Sequence, residues 1–242
     1  MIEVVATDAA GAVVAAFPLA HGADPALELS RRGWVPLSVS ASGWAPRVTL
    51  SYAVEPGPVR HTSQPQTGRG ERRQRLAAYA VVVADDGDDG VLLTELSDKV
   101  SGGAGLWLLP GGGVDPGEEP TAAIVREVWE ETGQVVDRVG LVDVLTSHRP
   151  DSLEQDGRLV DFHAIRLVHV ARCPDPTVPV VHDVGGSTAS AAWVPVAEVL
   201  RADRHGRLPS GQVLATWVHQ LFAEVPELLR SGDGGGQQHR GR

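Results

Sequence analysis

Cysteine, methionine and lysine each occur once in the 242 residues, as Cys173, Met1 and Lys99. A lone cysteine excludes an internal disulfide framework and a cysteine-based zinc site. Basic residues are scarce, 21 against 31 acidic, and the formal net charge is −10. That balance argues against a nucleic-acid backbone as main partner. Long apolar runs are also missing. The stretch AAGAVVAAFPLAHGA (residues 9–23) resembles a signal-peptide core, yet Glu3 and Asp8 precede it and the first basic residue is Arg31. A secretory leader starts basic, and this run is too short to span a bilayer. The sequence therefore predicts a cytoplasmic protein with no membrane partner.

What is present has globular proportions, 42% hydrophobic and 21% charged. The informative stretch is Leu109–Gln134, LPGGGVDPGEEPTAAIVREVWEETGQ. Pro120 suits a first helical position and Gly133 suits a stop, which predicts a helix from Pro120 to Thr132. At roughly 100° per residue, Glu127, Glu130 and Glu131 share one narrow arc. Val125, Val128, Trp129 and Thr132 fall opposite, with Ile124 between, so that side is expected to be buried. Like charges at these spacings destabilise a helix by roughly 0.2–0.5 kcal/mol per pair. Arg126 is the only cation nearby in sequence. Clustered hard oxygens make sense around a divalent cation, because Mg²⁺ takes carboxylates, waters and phosphate oxygens. A merely solvated acidic face is the alternative.

The spacing separates the two readings. Gly112, five residues, Glu118, seven residues, Arg126-Glu127, an aliphatic, one residue, Glu130-Glu131, one residue, Gly133: this pattern resembles the Nudix box. Its final aliphatic place holds Gln134, a departure. The resemblance extends from about Leu76 to Leu200, through AAYAVVV, VLLTEL, GLWLLPGGG and GGSTASAAWVPVAEV. It implies an α+β fold, an α/β/α sandwich around a mixed sheet. It also implies Mg²⁺- or Mn²⁺-dependent hydrolysis of the pyrophosphate bond in a nucleoside diphosphate linked to another moiety. On that resemblance Glu127, Glu130 and Glu131 would bind metal, the Gly111 carbonyl would point at the same ion, Glu118 would be an auxiliary ligand or outer-shell group, and Arg126 would orient the acidic face. The partner implied is a small-molecule nucleotide substrate, and a homodimer is compatible with it. A nucleotide sensor without turnover is the alternative class. An isomerase of related fold would need a catalytic cysteine, for which Cys173, just before Pro174, is poorly placed.

The rest of the chain reads as follows. Residues 1–55 predict a small ββαββ domain of undisclosed role, with strands at 2–6, 12–17, 34–40 and 47–54 and a helix from Pro25 to Arg32. Residues 56–75 have linker composition and are the only link legible between that unit and the box. Residues 76–230 would form the Nudix domain and 231–242 a disordered tail. Within the former, strands are expected at 76–84, 91–96, 106–109, 139–145, 159–171 and 191–194, a turn at 85–90, and a last helix at 210–229. Asp151, Glu154, Asp156 and Asp183 are candidate general bases. His148 and Arg149 follow a strand and could hold phosphate. His163 and His169 share one strand face, from burial or from ordinary exposure.

Overall fold

The computed structural model describes residues 1–61, 65–84, 90–100, 102–154 and 156–229. The turn expected at 85–90 falls almost wholly outside these, and the expected tail does so entirely. Two sheets carry the fold. Strands β1 (Ile2–Thr7), β2 (Val13–Pro18), β3 (Trp34–Trp44) and β4 (Arg47–Pro56) form the first, in the order β2-β1-β4-β3. Helix α1 (Pro25–Ser30) lies between β2 and β3, started by Pro25 and capped by the Asp24 side chain. This is the ββαββ unit expected from sequence.

The second sheet is mixed. It comprises β5 (Glu71–Ala84), β6 (Gly90–Leu96), β7 (Leu106–Leu108), β8 (Gly111–Gly113), β9 (Asp137–Leu153), β10 (Leu159–Cys173), β11 (Thr188–Pro195) and β12 (Val213–Leu214). Its main path is β12-β7-β6-β5-β10-β9; β11 pairs with β6, and β8 with β5. Helices α2 (Pro120–Thr132), α3 (Val196–Val199) and α4 (Thr216–Glu224) flank it, followed by a 3-10 turn at Pro226–Leu229. No helix among the described residues is long and apolar enough to cross a membrane.

Strand alternation explains why both sheet faces are covered. Val81 and Val83 of β5 share a core with Val218, Leu221 and Phe222 of α4. Ala78, Ala80 and Val82, on the other face, share a core with Ala123, Ile124 and Val128 of α2. The α/β/α sandwich follows directly. A third core joins the two sheets: Ile2, Val4, Leu29, Leu50 and Tyr52 pack with Val144 of β9 and Ile165 and Leu167 of β10. Backbone hydrogen bonds add a second link, since Ala45 N donates to Glu118 O (3.0 Å) and Gly117 N to Ala45 O (2.7 Å). The amino-terminal unit thus touches the box loop itself, where the sequence showed only a polar connection.

Three boundaries differ from expectation for identifiable reasons. Strand β5 begins at Glu71 because β10 offers a parallel ladder from Val160↔Glu71 to Cys173↔Ala84, which overrides the linker-like composition. Strand β9 runs to Leu153 because β10 pairs with it along that length. The last helix is interrupted: Val213 and Leu214 pair with Leu106 and Trp107, and Pro226 opens the separate 3-10 turn.

Both histidines on the inner face of β10 are fully buried. The His169 ring places Nδ1 3.1 Å from Leu167 O, so Nδ1 carries the proton, and Nε2 has no partner. Burial pushes its pKa down to about 4. The folded state then binds fewer protons than an unfolded chain with an ordinary histidine. This stabilisation is complete above about pH 6.5 and is lost as pH falls toward 4, up to about 3 kcal/mol. His169→Asn keeps an N–H donor for Leu167 O and removes the titration. Urea unfolding of this variant between pH 6.5 and 4 should show a shallower loss of stability, by roughly one proton or 1.4 kcal/mol per pH unit. A slope equal to wild type would remove His169 from the acid limb.

Candidate active site

Helix α2 spans Pro120–Thr132 as the spacing predicts, with Pro120 in its first turn and Gly133 closing it at φ 69°. Its buried stripe is rotated from expectation. Ala123, Ile124, Val128, Glu131 and Thr132 are buried, whereas Val125 and Trp129 are about half exposed. Residues 124, 128 and 131 follow the i, i+4, i+7 line that faces the sheet. Trp129 instead stacks on His182, with centroids 4.5 Å apart and planes at 16°. Glu131 can occupy an apolar stripe because both its oxygens are bonded. Gly111 N donates to Oε2 at 2.9 Å, and the Thr188 hydroxyl donates to Oε1 at 2.6 Å. Burial still dominates and pushes its pKa up to about 7.

Arg126 gathers the other acidic groups. Its Nε and Nη2 form a bidentate pair with Glu118 at 2.8 and 2.9 Å. Its Nη1 donates to Glu127 Oε1 (2.9 Å) and Glu130 Oε2 (3.1 Å), and Nη2 also reaches Gly113 O (3.1 Å). The Arg126 pair holds Glu118 below the usual carboxylate range. Burial raises Glu127, against the opposing pull of Arg126. Glu130 is the most open of the set, its side chain 37% exposed. Three carboxylates therefore bond one guanidinium, and Asp115 lies 4.0 Å from it.

The glycine run is required by this proximity. A Cβ on Gly112 would sit 2.5 Å from Glu127 Oε1, and one on Gly111 (φ 141°) would collide with the Ala78 carbonyl. Gln134, at the aliphatic place of the box, is 1% exposed and forms a polar clamp. Its amide donates to Thr132 O and Thr177 Oγ1 and accepts from Thr177 N at 2.9 Å. Segment 180–183 closes the helix end: Val180 N donates to Thr132 O, and His182 N and Asp183 N to Glu130 O.

The candidate bases separate. Asp151 pairs with Arg69, the half-buried Glu154 with Arg73 and Arg158, and Asp156 with Arg158. Asp183 is the one whose charge is felt by Glu131. His148 and Arg149 lie on opposite faces of β9. His148 Nε2 is 2.5 Å from Asp161 Oδ1, and Arg149 lies 5.2 Å over the Phe162 ring. The register sets Gly111 beside Tyr79, Tyr79 beside Val168, and His148 beside His163. His148 is thus roughly 16 Å along the strands from the box. Cys173 is fully buried, out of reach of any substrate.

Sequence reasoning missed the groups next to the acids. A Cβ on Gly113 would lie 3.9 Å from Arg75 Nη2, so Arg75 and Arg126 flank that glycine. Tyr79 lies between charges of both signs. Its hydroxyl pKa is raised chiefly by burial, lowered by Arg75 and Arg166, and raised by Glu131 and Glu127. Trp217 packs on Tyr79 (5.0 Å) and under Arg166 (5.4 Å). Burial, then the charges of Arg149 and Arg75, lower the Arg166 pKa. Among the described residues no carboxylate pairs with Arg75, Arg149 or Arg166. A cavity of about 690 Å³ is lined by Leu27, Tyr52 and Val144 and by no box residue.

A sheet between helices, with clustered glutamates on one helix behind a glycine turn, defines the class. The NUDIX domain model matches residues 73–215, more than half of the sequence, and the chain belongs to the Nudix family. It is 53% identical over 36 residues to an RNA pyrophosphohydrolase of Brucella anthropi, covering 15% of this chain and 21% of that one. It is 37% identical over 86 residues to a MutT-like protein of Streptomyces ambofaciens, covering 36% and 49%. The chain thus spans half or less of the length of these curated relatives. Among solved structures, the Nudix domain of Shewanella oneidensis NrtR, complexed with ADP ribose, is 24% identical with a TM-score of 0.47, covering 65% of this chain and 89% of that one. A MutT Nudix hydrolase from Burkholderia pseudomallei is 24% identical with a TM-score of 0.42, covering 66% and 99%.

Thr188→Val removes the hydroxyl donor from a buried carboxylate and nearly conserves volume. At pH 8, denaturant unfolding should show a loss of about 1.5–3 kcal/mol, the range for a hydrogen bond to a charged group. Thr188→Ser should recover most of it. An unchanged midpoint in Thr188→Val would mean that Glu131 does not depend on this bond.

Proposed function

We propose that this chain hydrolyses the pyrophosphate bond of a nucleoside diphosphate linked to another moiety, with Mg²⁺ or Mn²⁺ held by Glu127, Glu130 and Glu131. The observation that supports this reading is the convergence of Glu118, Glu127 and Glu130 on Arg126, with Glu131 behind them. One guanidinium cannot neutralise four carboxylates, and an all-oxygen donor set suits a hard divalent cation. The glycine turn fits the same reading, because it leaves room for Glu127 where a Cβ would intrude. The Gly111 carbonyl is a further candidate ligand. Glu118, committed to Arg126 through both oxygens, acts from outside the ligand set. A bound divalent ion would neutralise phosphate oxygens and acidify a water.

The chain's own residues do the rest. Arg126 fixes the direction of three carboxylates. Asp183, held by its N–H to the end of α2, accepts the proton of the attacking water. Arg75, Arg149 and Arg166 provide positive charge for the phosphates. Tyr79, Trp217 and Phe162 offer ring faces to the base or the attached group. Three guanidiniums near one another in a chain of net charge −10 repel each other until an anion arrives. On this reading residues 1–55 form a supporting unit, and the chemistry lies in the rest of the chain from Arg75 onward.

The test is turnover on a panel of nucleoside diphosphate derivatives with Mg²⁺ and with Mn²⁺. Glu130→Gln and Glu131→Gln should each lower kcat by a hundredfold or more, about 2.7 kcal/mol of barrier, while the thermal transition stays in place. Arg166→Met should chiefly raise KM. Wild-type kcat in both glutamate variants would sink the site assignment. Tight nucleotide binding without turnover by the wild-type chain would favour the sensor reading.

A further inference from the structure

A second cluster of ligating groups lies away from the box, where the amino-terminal unit meets β9 and β10. His21, between β2 and α1, His148 of β9 and Asp161 of β10 each bring one ligand atom within 4.8 Å of the others, and both imidazole Nε2 atoms approach Asp161 Oδ1. Their side chains are 14%, 13% and 1% exposed. We propose that these three groups bind a transition-series divalent cation, Zn²⁺ by its donor preference, which cross-links the amino-terminal unit to the sheet. The inference is independent of the reading of the box.

The donor chemistry separates the two sites. Two imidazole nitrogens and one carboxylate suit Zn²⁺ and its neighbours, whereas Mg²⁺ demands oxygen throughout. Two ligand atoms on a tetrahedral ion at about 2.1 Å lie roughly 3.4 Å apart. His21 Nε2 is 3.2 Å from Asp161 Oδ1, near that separation, yet it is buried and lacks the alignment of a hydrogen bond. His148 Nε2, at 2.5 Å, donates its proton to the same oxygen. An ion entering here displaces that proton to solvent, and the His148 nitrogen and Asp161 oxygen move apart by less than 1 Å to ligand separation.

The surroundings hold the three groups in place. Gly68 N donates to Asp161 Oδ2 at 3.0 Å and fixes the carboxylate plane. Gly22 N donates to Nδ1 of the fully buried His163 at 3.0 Å, which anchors the residue next to His21. Neither glycine tolerates a side chain. A Cβ on Gly22 would stand 2.7 Å from the His148 ring, and one on Gly68 would stand 2.9 Å from Asp161. Burial alone would raise the Asp161 pKa, but His148, the Gly68 N–H and His21 outweigh it and hold the carboxylate ionised. The bland alternative is a proton-only network, in which His148 and Gly68 bond Asp161 and His21 merely lies beside them. That arrangement would leave the buried His21 Nε2 3.2 Å from Asp161 Oδ1 without an aligned hydrogen bond, which carries a cost.

The test uses the full chain, stripped with a chelator and kept in millimolar Mg²⁺ so that oxygen sites are filled. Titration with Co²⁺ should give one equivalent with the visible d–d absorption of a low-coordinate, nitrogen-containing site. Zn²⁺ should displace it, raise the Tm and release a proton. His21→Gln and His148→Gln should each weaken Co²⁺ binding at least a hundredfold and abolish the Zn²⁺-induced rise in Tm. Comparing each variant with its own chelated form keeps the result readable if the variant is less stable. The proposal is overturned if the wild type takes up no Co²⁺ beyond Mg²⁺, or if its stoichiometry and spectrum survive His21→Gln.

Discussion

Three carboxylates bonded to one guanidinium, with a fourth buried behind them, form the constraint on which the rest of this structure depends. Arg126 bonds Glu118, Glu127 and Glu130 and cannot also neutralise Glu131. A carboxylate as buried as Glu131 costs several kcal/mol unless its oxygens are bonded. The Gly111 N–H and the Thr188 hydroxyl supply those bonds, and they come from β8 and β11, far apart in the chain. The strand register must therefore be right before the helix can carry its charges. The positive φ of Gly111 and the bare Cα of Gly112 follow from how close α2 comes to the turn.

What was legible in the sequence was whatever is local. Helix α2 could be read from Pro120, Gly133 and the period of its glutamates, and the box spacing supplied the fold around it. Its burial was misjudged because Trp129 is more apolar than Glu131. Facing is decided by the i, i+4, i+7 line to the sheet and by two remote donors. The start of β5 was hidden for the same reason. Glu71–Arg75 looks like a polar connection until β10 is set beside it as a parallel partner. Gln134 departs from the aliphatic place of the box, and its amide ties the helix exit to Thr177. His21 carried no signal at all, since its neighbours lie more than a hundred positions away.

The amino-terminal unit shows how composition and packing diverge. Residues 56–70 are as polar and proline-rich as a tether, yet the units on either side share a core. Val144, Ile165 and Leu167 are buried against Ile2, Val4, Leu29 and Leu50. Burying three such side chains contributes about 5–9 kcal/mol as an upper estimate. That is comparable with the whole stability of an ordinary domain, about 5–15 kcal/mol. The glycines of the connection, Gly68 and Gly70, are also close-packing positions, where a Cβ would strike Asp161 or the Leu159 carbonyl. Gly68 and Gly70, at the end of a segment that looks disposable by composition, pack against Asp161 and Leu159 of β10.

Strand parity then divides the molecule's polar groups between two tasks. On β9 and β10, Arg149, Phe162 and Arg166 alternate with His148, Asp161 and His163. Arg166 of the first set faces Tyr79 and Trp217, near the box acids, while Arg149 and Phe162 lie farther along the same face. The other set faces Gly22, His21 and the first sheet. Only a backbone separates a cationic, aromatic surface from a cluster of imidazoles around a carboxylate. A one-residue slip in either strand would exchange the two sets. The apolar residues Val144, Ile165 and Leu167 on the inner face resist that slip, because it would turn them out of the shared core. Burial of those three side chains thus fixes the register that keeps the two polar sets on separate faces.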